Sequence, residues 1–143
     1  MPPSLRRPPL AIAQSDHSRL LRLAESIERA NAELSGQLFI ELERAEVLPD
    51  VELRDDVVGM GATLDYQTDA GETRTVTLVY PGEENITDGR VSILTPIGVA
   101  LIGLPLGSPM DWRTRDGRLQ ALTVTRIDYP PENADTNSLA TAR

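Results

Sequence analysis

Cysteine and lysine are absent from this 143-residue chain, and histidine, tryptophan and phenylalanine occur once each. Without cysteine there is no disulfide framework and no thiolate nucleophile or ligand. With His17 as the lone imidazole, Cys/His zinc sites are excluded and a histidine-based triad is disfavoured. The missing lysine also removes the phosphate-cradling glycine loop, whose lysine reaches the nucleotide's phosphates. Aromatic residues make up 3% of the chain, too few for a stacking platform for single strands or a large aromatic pocket. Positive charge is short as well: a formal net charge of -8 opposes unaided binding to duplex nucleic acid and favours a protein partner. No apolar run approaches the roughly 20 residues that cross a bilayer, and the opening Met1 to Pro9 lacks a signal peptide's apolar core. A soluble cytoplasmic protein is expected, with one compact domain and a modest appendage.

From Ser15 the apolar spacing turns helical. Leu20, Ile27 and Leu34 fall seven apart, with Leu23, Ala24 and Ala30 in the same stripe. Ser15 or Asp16 is expected to cap the start, and His17 to be an ordinary exposed side chain in the first turn. Ser35-Gly36 is read as the break, after which Leu38, Leu42, Ala45 and Leu48 form a second stripe edged by Phe39, ended by Pro49. Two helices and a short loop predict an antiparallel helical hairpin over residues 15–48. Residues 1–14, with four prolines and Arg6-Arg7, read as a flexible arm that ends in the extended stretch Leu10–Ala13. Residues 49–56 read as an acidic linker and 131–143 as a disordered tail.

Beyond Val57 the apolar period shortens towards two, which places strands near 61–67, 73–80, 90–94, 109–114 and 118–129. Asp69-Ala70-Gly71 and Asp116-Gly117 supply turn chemistry for two hairpins. Between the third and fourth strands, Pro96 to Gly103 has proline in its first turn, an all-round apolar body and a terminating glycine. Such a helix must be buried beneath the strands. The segment Val91 to Gly107 thus delivers a strand to a sharp Thr95-Pro96 corner, a reading that serves a fold determinant or an exposed rigid edge alike.

Several segments in order carry a resemblance: Glu41-Leu42-Glu43-Arg44-Ala45, Asp56-Val57-Val58-Gly59-Met60, Arg74 to Pro81, Thr95 to Leu104, and Ile127-Asp128-Tyr129. The strand, the Thr-Pro-Ile corner and the following Leu-Ile-Gly resemble the C-terminal domain of the Gre transcript cleavage factors. The closer resemblance is to the Rnk family, the regulators of nucleoside diphosphate kinase. It implies an α+β fold, in which the helical hairpin precedes an FKBP-like antiparallel sheet domain (residues 57–130) wrapped on one short helix. It further implies docking at the secondary-channel entrance of bacterial RNA polymerase, in competition with Gre-type factors, through Leu94, Thr95, Pro96, Ile97 and Leu101. Val99 stands where the cleavage factors usually carry arginine, and Leu94 replaces a polar residue, so the contact is expected to be more apolar here or displaced.

Cleavage factors place paired carboxylates at a hairpin tip to hold a second magnesium ion, chemistry that needs two oxygen ligands converging on one cation. The tip read here, Asn31 to Gly36, has one carboxylate, Glu33. A second helix of about 13 residues reaches only about 20 Å at roughly 1.5 Å per residue. The expectation is therefore a non-catalytic binder without cofactor or metal and without sequence-specific nucleic-acid contact, a monomer being favoured over self-association through the hairpin. Its rivals are an active cleavage factor and a prolyl isomerase. Glu41, Glu43 and Glu46 are read as a solvated helix face, and Asp55-Asp56 and Glu83-Glu84 as exposed loop charges.

Overall fold

The computed structural model describes residues 8–53, 55–113 and 117–129. The expected tail, Arg6-Arg7 and the Asp116 half of the second turn lie outside them. Two helices, α1 (Gln14–Ser26) and α2 (Ala32–Arg44), pack on each other, and are followed by a curled five-stranded sheet. Its strands are β3 (Thr63–Thr68), β4 (Thr73–Val79), β5 (Arg90–Ser92), β6 (Met110–Arg113) and β7 (Leu119–Asp128), in the order β5-β4-β3-β7-β6. The short helix α3 (Pro96–Leu101) lies between β5 and β6 in the chain. Buried residues alternate along the strands as period-two sequence requires: Leu64 and Tyr66 on β3, Val76 and Leu78 on β4, Leu122 and Val124 on β7. These join Val99, Ala100, Leu101, Ile102 and Leu104, and Leu20, Leu34, Leu38 and Leu42 from the helices, in one apolar cluster.

The architecture departs from the sequence reading in several places. The helical break falls at Ile27–Asn31 and not at Ser35-Gly36. Asn31 caps α2 by accepting from the Leu34 amide at 3.1 Å, while buried Ser35 donates to the Ala24 carbonyl at 2.7 Å, so Ser35 ties the helices together. Gly36 lies within α2, whose packing against α1 through Leu34, Ser35 and Leu38 outweighs the entropic cost of a helical glycine.

Leu10–Ala13 is buried and extended. Ala11–Ala13 forms strand β1, paired in parallel with β2 (Glu46–Leu48) and tied by its Ala11 amide to the Gly103 carbonyl at 3.2 Å. Consequently α2 ends at Arg44, short of Pro49. Gly103 adopts φ 77, and a β-carbon there would stand 3.1 Å from Leu10 Cβ and 3.2 Å from Ile12 Cγ1, a place that only glycine fills without strain.

Glu41, read as solvated, is 4% exposed. It pairs with Arg44 at 3.0 Å, and Arg44 Nη1 donates to the Pro8 carbonyl at 2.9 Å, clipping the N-terminal segment to α2. Finally, the sheet is not wholly antiparallel: β5 lies parallel to β4, with Leu78 facing Val91. Asp55, Asp56, Glu83 and Glu84 are exposed as expected.

Candidate functional site

The Thr95-Pro96 corner is built by three local hydrogen bonds. Thr95 Oγ1 donates to the Ser92 carbonyl at 2.8 Å and accepts from the Gly98 amide at 3.0 Å, while Ser92 Oγ accepts from the Leu94 amide at 3.0 Å. Thr95 is thus the N-cap of α3, with Pro96 in the first turn, where its missing N–H costs nothing. Gly98 then lies directly on the β5 exit: a β-carbon on it would stand 2.5 Å from the Ser92 carbonyl oxygen and 2.8 Å from Ile93 Cα.

In front of this corner opens a groove of about 520 Å³. Leu94, Thr95, Pro96 and Ile97 line it together with Val91, Trp112 and Ile86, and the charged Glu84 and Arg90 also border it. The strand order places β5 and β6 at opposite ends of the sheet, so their meeting across one groove records how far the sheet curls. Ile86 is 94% exposed, on a loop otherwise made of polar residues and glycine from Gly82 to Gly89. The isolated isoleucine was the sequence signal for its role, while Trp112 carried none, because only the curl brings it here.

Leu94, Thr95, Pro96 and Ile97 are half-exposed and come together, whereas Leu101 does not join them. It is 0% exposed and belongs to the core, because the helix turns that position under the sheet. Val99 is buried likewise, so the arginine-to-valine difference at this position adds to the core and not to the groove.

Behind the groove the sheet is latched to the helices. Tyr80, next to the groove-lining Pro81, donates its hydroxyl to Asp16 at 2.7 Å, and the Arg19 guanidinium lies 3.6 Å from the centre of the Tyr80 ring. Asp16 is therefore not the helix cap. That role falls to Asp50, which accepts from the Ser15 amide at 3.0 Å and from its hydroxyl at 2.5 Å across the chain. Likewise His17 is half-buried, and its Nε2 donates to the Leu42 carbonyl at 3.0 Å.

Burial, partly offset by the Tyr80 hydroxyl, raises the Asp16 carboxyl above its ordinary value of 3.8, and burial with the neighbouring Asp16 pushes the Tyr80 phenol up. A carboxyl whose pKa is higher folded than unfolded favours the fold most when protonated, and that contribution fades as pH rises from about 4 through the raised value. Asp16→Asn keeps an acceptor for Tyr80 but does not ionise. Urea midpoints of the two proteins, measured from pH 4 to 7, are expected to shift progressively in favour of the asparagine variant. A pH-independent difference would show that Asp16 carries no such burial cost.

The turn between α1 and α2 is Ile27 to Asn31, so Glu28 is its carboxylate and Glu33 lies in the first turn of α2. Among the described residues, no three His, Cys, Asp or Glu side chains are grouped to hold a metal ion, and no helix is long and apolar enough to cross a membrane.

Comparison with known proteins adds the following. Residues 53–129 match the family model described as transcription elongation factor, GreA/GreB, C-term, and residues 8–48 match the Rnk N-terminus model. The chain is 32% identical to the regulator of nucleoside diphosphate kinase of Escherichia coli K12 over 131 residues, 91% of this chain and 96% of that protein. Similarity to transcription elongation factor GreA of Rhodospirillum rubrum is 34% over 86 residues, 55% of that protein. Among solved structures, a prokaryotic transcription elongation factor GreA/GreB from Nitrosomonas europaea superposes with a TM-score of 0.68 at 30% identity, over 84% of this chain and 99% of that one.

Proposed function

Because the chain belongs to the Rnk family of Gre-related regulators, we propose that it binds bacterial RNA polymerase at the entrance of the secondary channel. There it competes with Gre-type factors without stimulating transcript cleavage. The observation that carries this reading is the groove at the Thr95-Pro96 corner. It presents a rigid, half-exposed apolar floor of Leu94, Pro96 and Ile97 between Val91 and Trp112, of a size to seat a few partner side chains. Catalytic silence is supported by reach, since each helix has 13 residues and spans about 20 Å. On this reading the family's effect on nucleoside diphosphate kinase runs through transcription.

The double variant Pro96→Ala with Ile97→Asp puts a charge into the groove floor. It is expected to weaken polymerase binding by about tenfold or more, measured by pull-down and by competition with a Gre factor, with far-UV circular dichroism confirming the fold. Unchanged binding by the folded variant would sink the proposed surface. Transcript shortening in a stalled elongation complex supplied with magnesium would instead favour a cleavage factor acting through Glu28 or Glu33. Prolyl isomerisation, raised by the FKBP-like architecture that the family resemblance implies, has little support here because among the described residues Trp112 is the one aromatic side chain lining the groove.

A further inference from the structure

On another part of the molecule, at the base of the helix pair, lies a second groove of about 450 Å³. Leu21, Phe39, Leu42, Ala45 and Val47 make it apolar, and Glu43 stands on it as its one carboxylate. His17 also lines it, but its Nε2 is engaged by the Leu42 carbonyl. The groove borders a strand edge. In the two-stranded sheet, β1 is enclosed between β2 and Gly103, which leaves β2 on the outside.

Glu46 turns its amide inward to the Leu10 carbonyl at 2.8 Å. In a parallel pair, alternate residues face the neighbouring strand, so the Val47 N–H and C=O point away from β1. Among the described residues neither has a hydrogen-bond partner, and Val47 is 41% exposed. An unpaired backbone donor and acceptor at the mouth of an apolar groove is the arrangement that accepts an added strand. Backbone bonds then hold the visitor, and its alternate side chains enter the groove.

Charge selects which strand. Glu43 and Glu46 are exposed on the rim, and Asp50 and Glu52 follow on the next turn, in a chain of net charge -8. The nearest cation on α2, Arg44, is already bound to Glu41 and Pro8. Such a rim repels a second copy of itself and attracts lysine or arginine. We propose that the β2 edge and this groove bind an extended, basic segment of a partner protein by strand addition at Val47, with an aliphatic side chain seated between Leu21 and Phe39.

The probe is a fluorescein-labelled peptide alternating valine and lysine, titrated with the full chain by fluorescence anisotropy. Val47→Pro removes the outward N–H, and with it the valine side chain on the groove, at an edge position where proline is tolerated, so the N-methylated peptide isolates the backbone bonds. The proline variant is expected to weaken binding about tenfold, as is N-methylation of alternate peptide residues, which preserves the peptide's charge. Glu43→Arg is expected to weaken binding several-fold and guards against misfolding of the proline variant. Pro96→Ala with Ile97→Asp is expected to leave peptide binding intact, which separates this site from the polymerase reading. Equal binding of the N-methylated peptide, or of one with glutamate in place of lysine, would overturn the proposal. So would a concentration-dependent dimer in analytical ultracentrifugation that Val47→Pro abolishes, because the occupant would then be a second copy.

Discussion

Gly98→Ala is expected to destabilise the protein by about 2–3 kcal/mol, although alanine is the better helix former by about 1 kcal/mol. The added methyl has no room: its three nearest atoms are the Ser92 carbonyl oxygen at 2.5 Å, Ile93 Cα at 2.8 Å and the Ile93 carbonyl oxygen at 3.0 Å. All are main-chain atoms, so no side chain can swing aside. Relief requires α3 to lift off the β5 exit, and that strains the Thr95 bonds to Ser92 and Gly98 that make the corner. Urea unfolding should show a lower midpoint with an unchanged slope. The groove floor should loosen with it, and polymerase binding by the folded protein should weaken. An unchanged midpoint would mean that α3 is not seated on β5 as described.

Leu101→Ala is expected to cost about 3 kcal/mol, within the range for truncating a fully buried leucine. The side chain is 0% exposed and sits in the cluster shared by the helices, β1 and the sheet, where a cavity would be lined from several elements and collapse poorly. Binding per folded molecule should change little, since Leu101 reaches no surface. Chemical denaturation paired with polymerase titration separates the two effects: a variant that keeps its stability but loses affinity would return Leu101 to the contact surface.

The contrast between Leu101 and Ile97 marks how far the sequence could be read. Alternation at Leu64 and Tyr66, or at Leu122 and Val124, announces strands because one face of a sheet must be dry. The Thr95-Pro96 corner was legible because a hydroxyl cap followed by proline starts a helix in few other ways. Which face of so apolar a helix points outward is another matter. Isoleucine and leucine look alike when every neighbour is apolar, and only the curl of the sheet, with Trp112 arriving from β6, decides it.

The helical break was misplaced for a related reason. The seven-residue stripe runs on through Ile27 and Leu34, so the pattern hides a turn that Asn31 announces only by its capping bond. A lone helical glycine costs only about 1 kcal/mol, and the burial of Leu34, Ser35 and Leu38 beside Gly36 outweighs it. The β1–β2 pair was illegible because three-residue strands carry no period, and β1 is held in place by Gly103, far away in the chain. Edge Val47, and with it the second groove, was hidden for the same reason.

The bond from the Ala11 amide to the Gly103 carbonyl has a consequence for biosynthesis. The apolar face shared by α1 and α2 is completed by residues of α3 and the Leu104 segment, encoded well downstream of both helices. A growing chain therefore exposes both helices from early in translation and can close their core only once residues beyond Leu104 have left the ribosome. Closure of the helix core waits for contacts distant in the chain, a topology that favours slower folding than local packing alone would give. A synthesis product ending before α3 is expected to leave that apolar face uncovered.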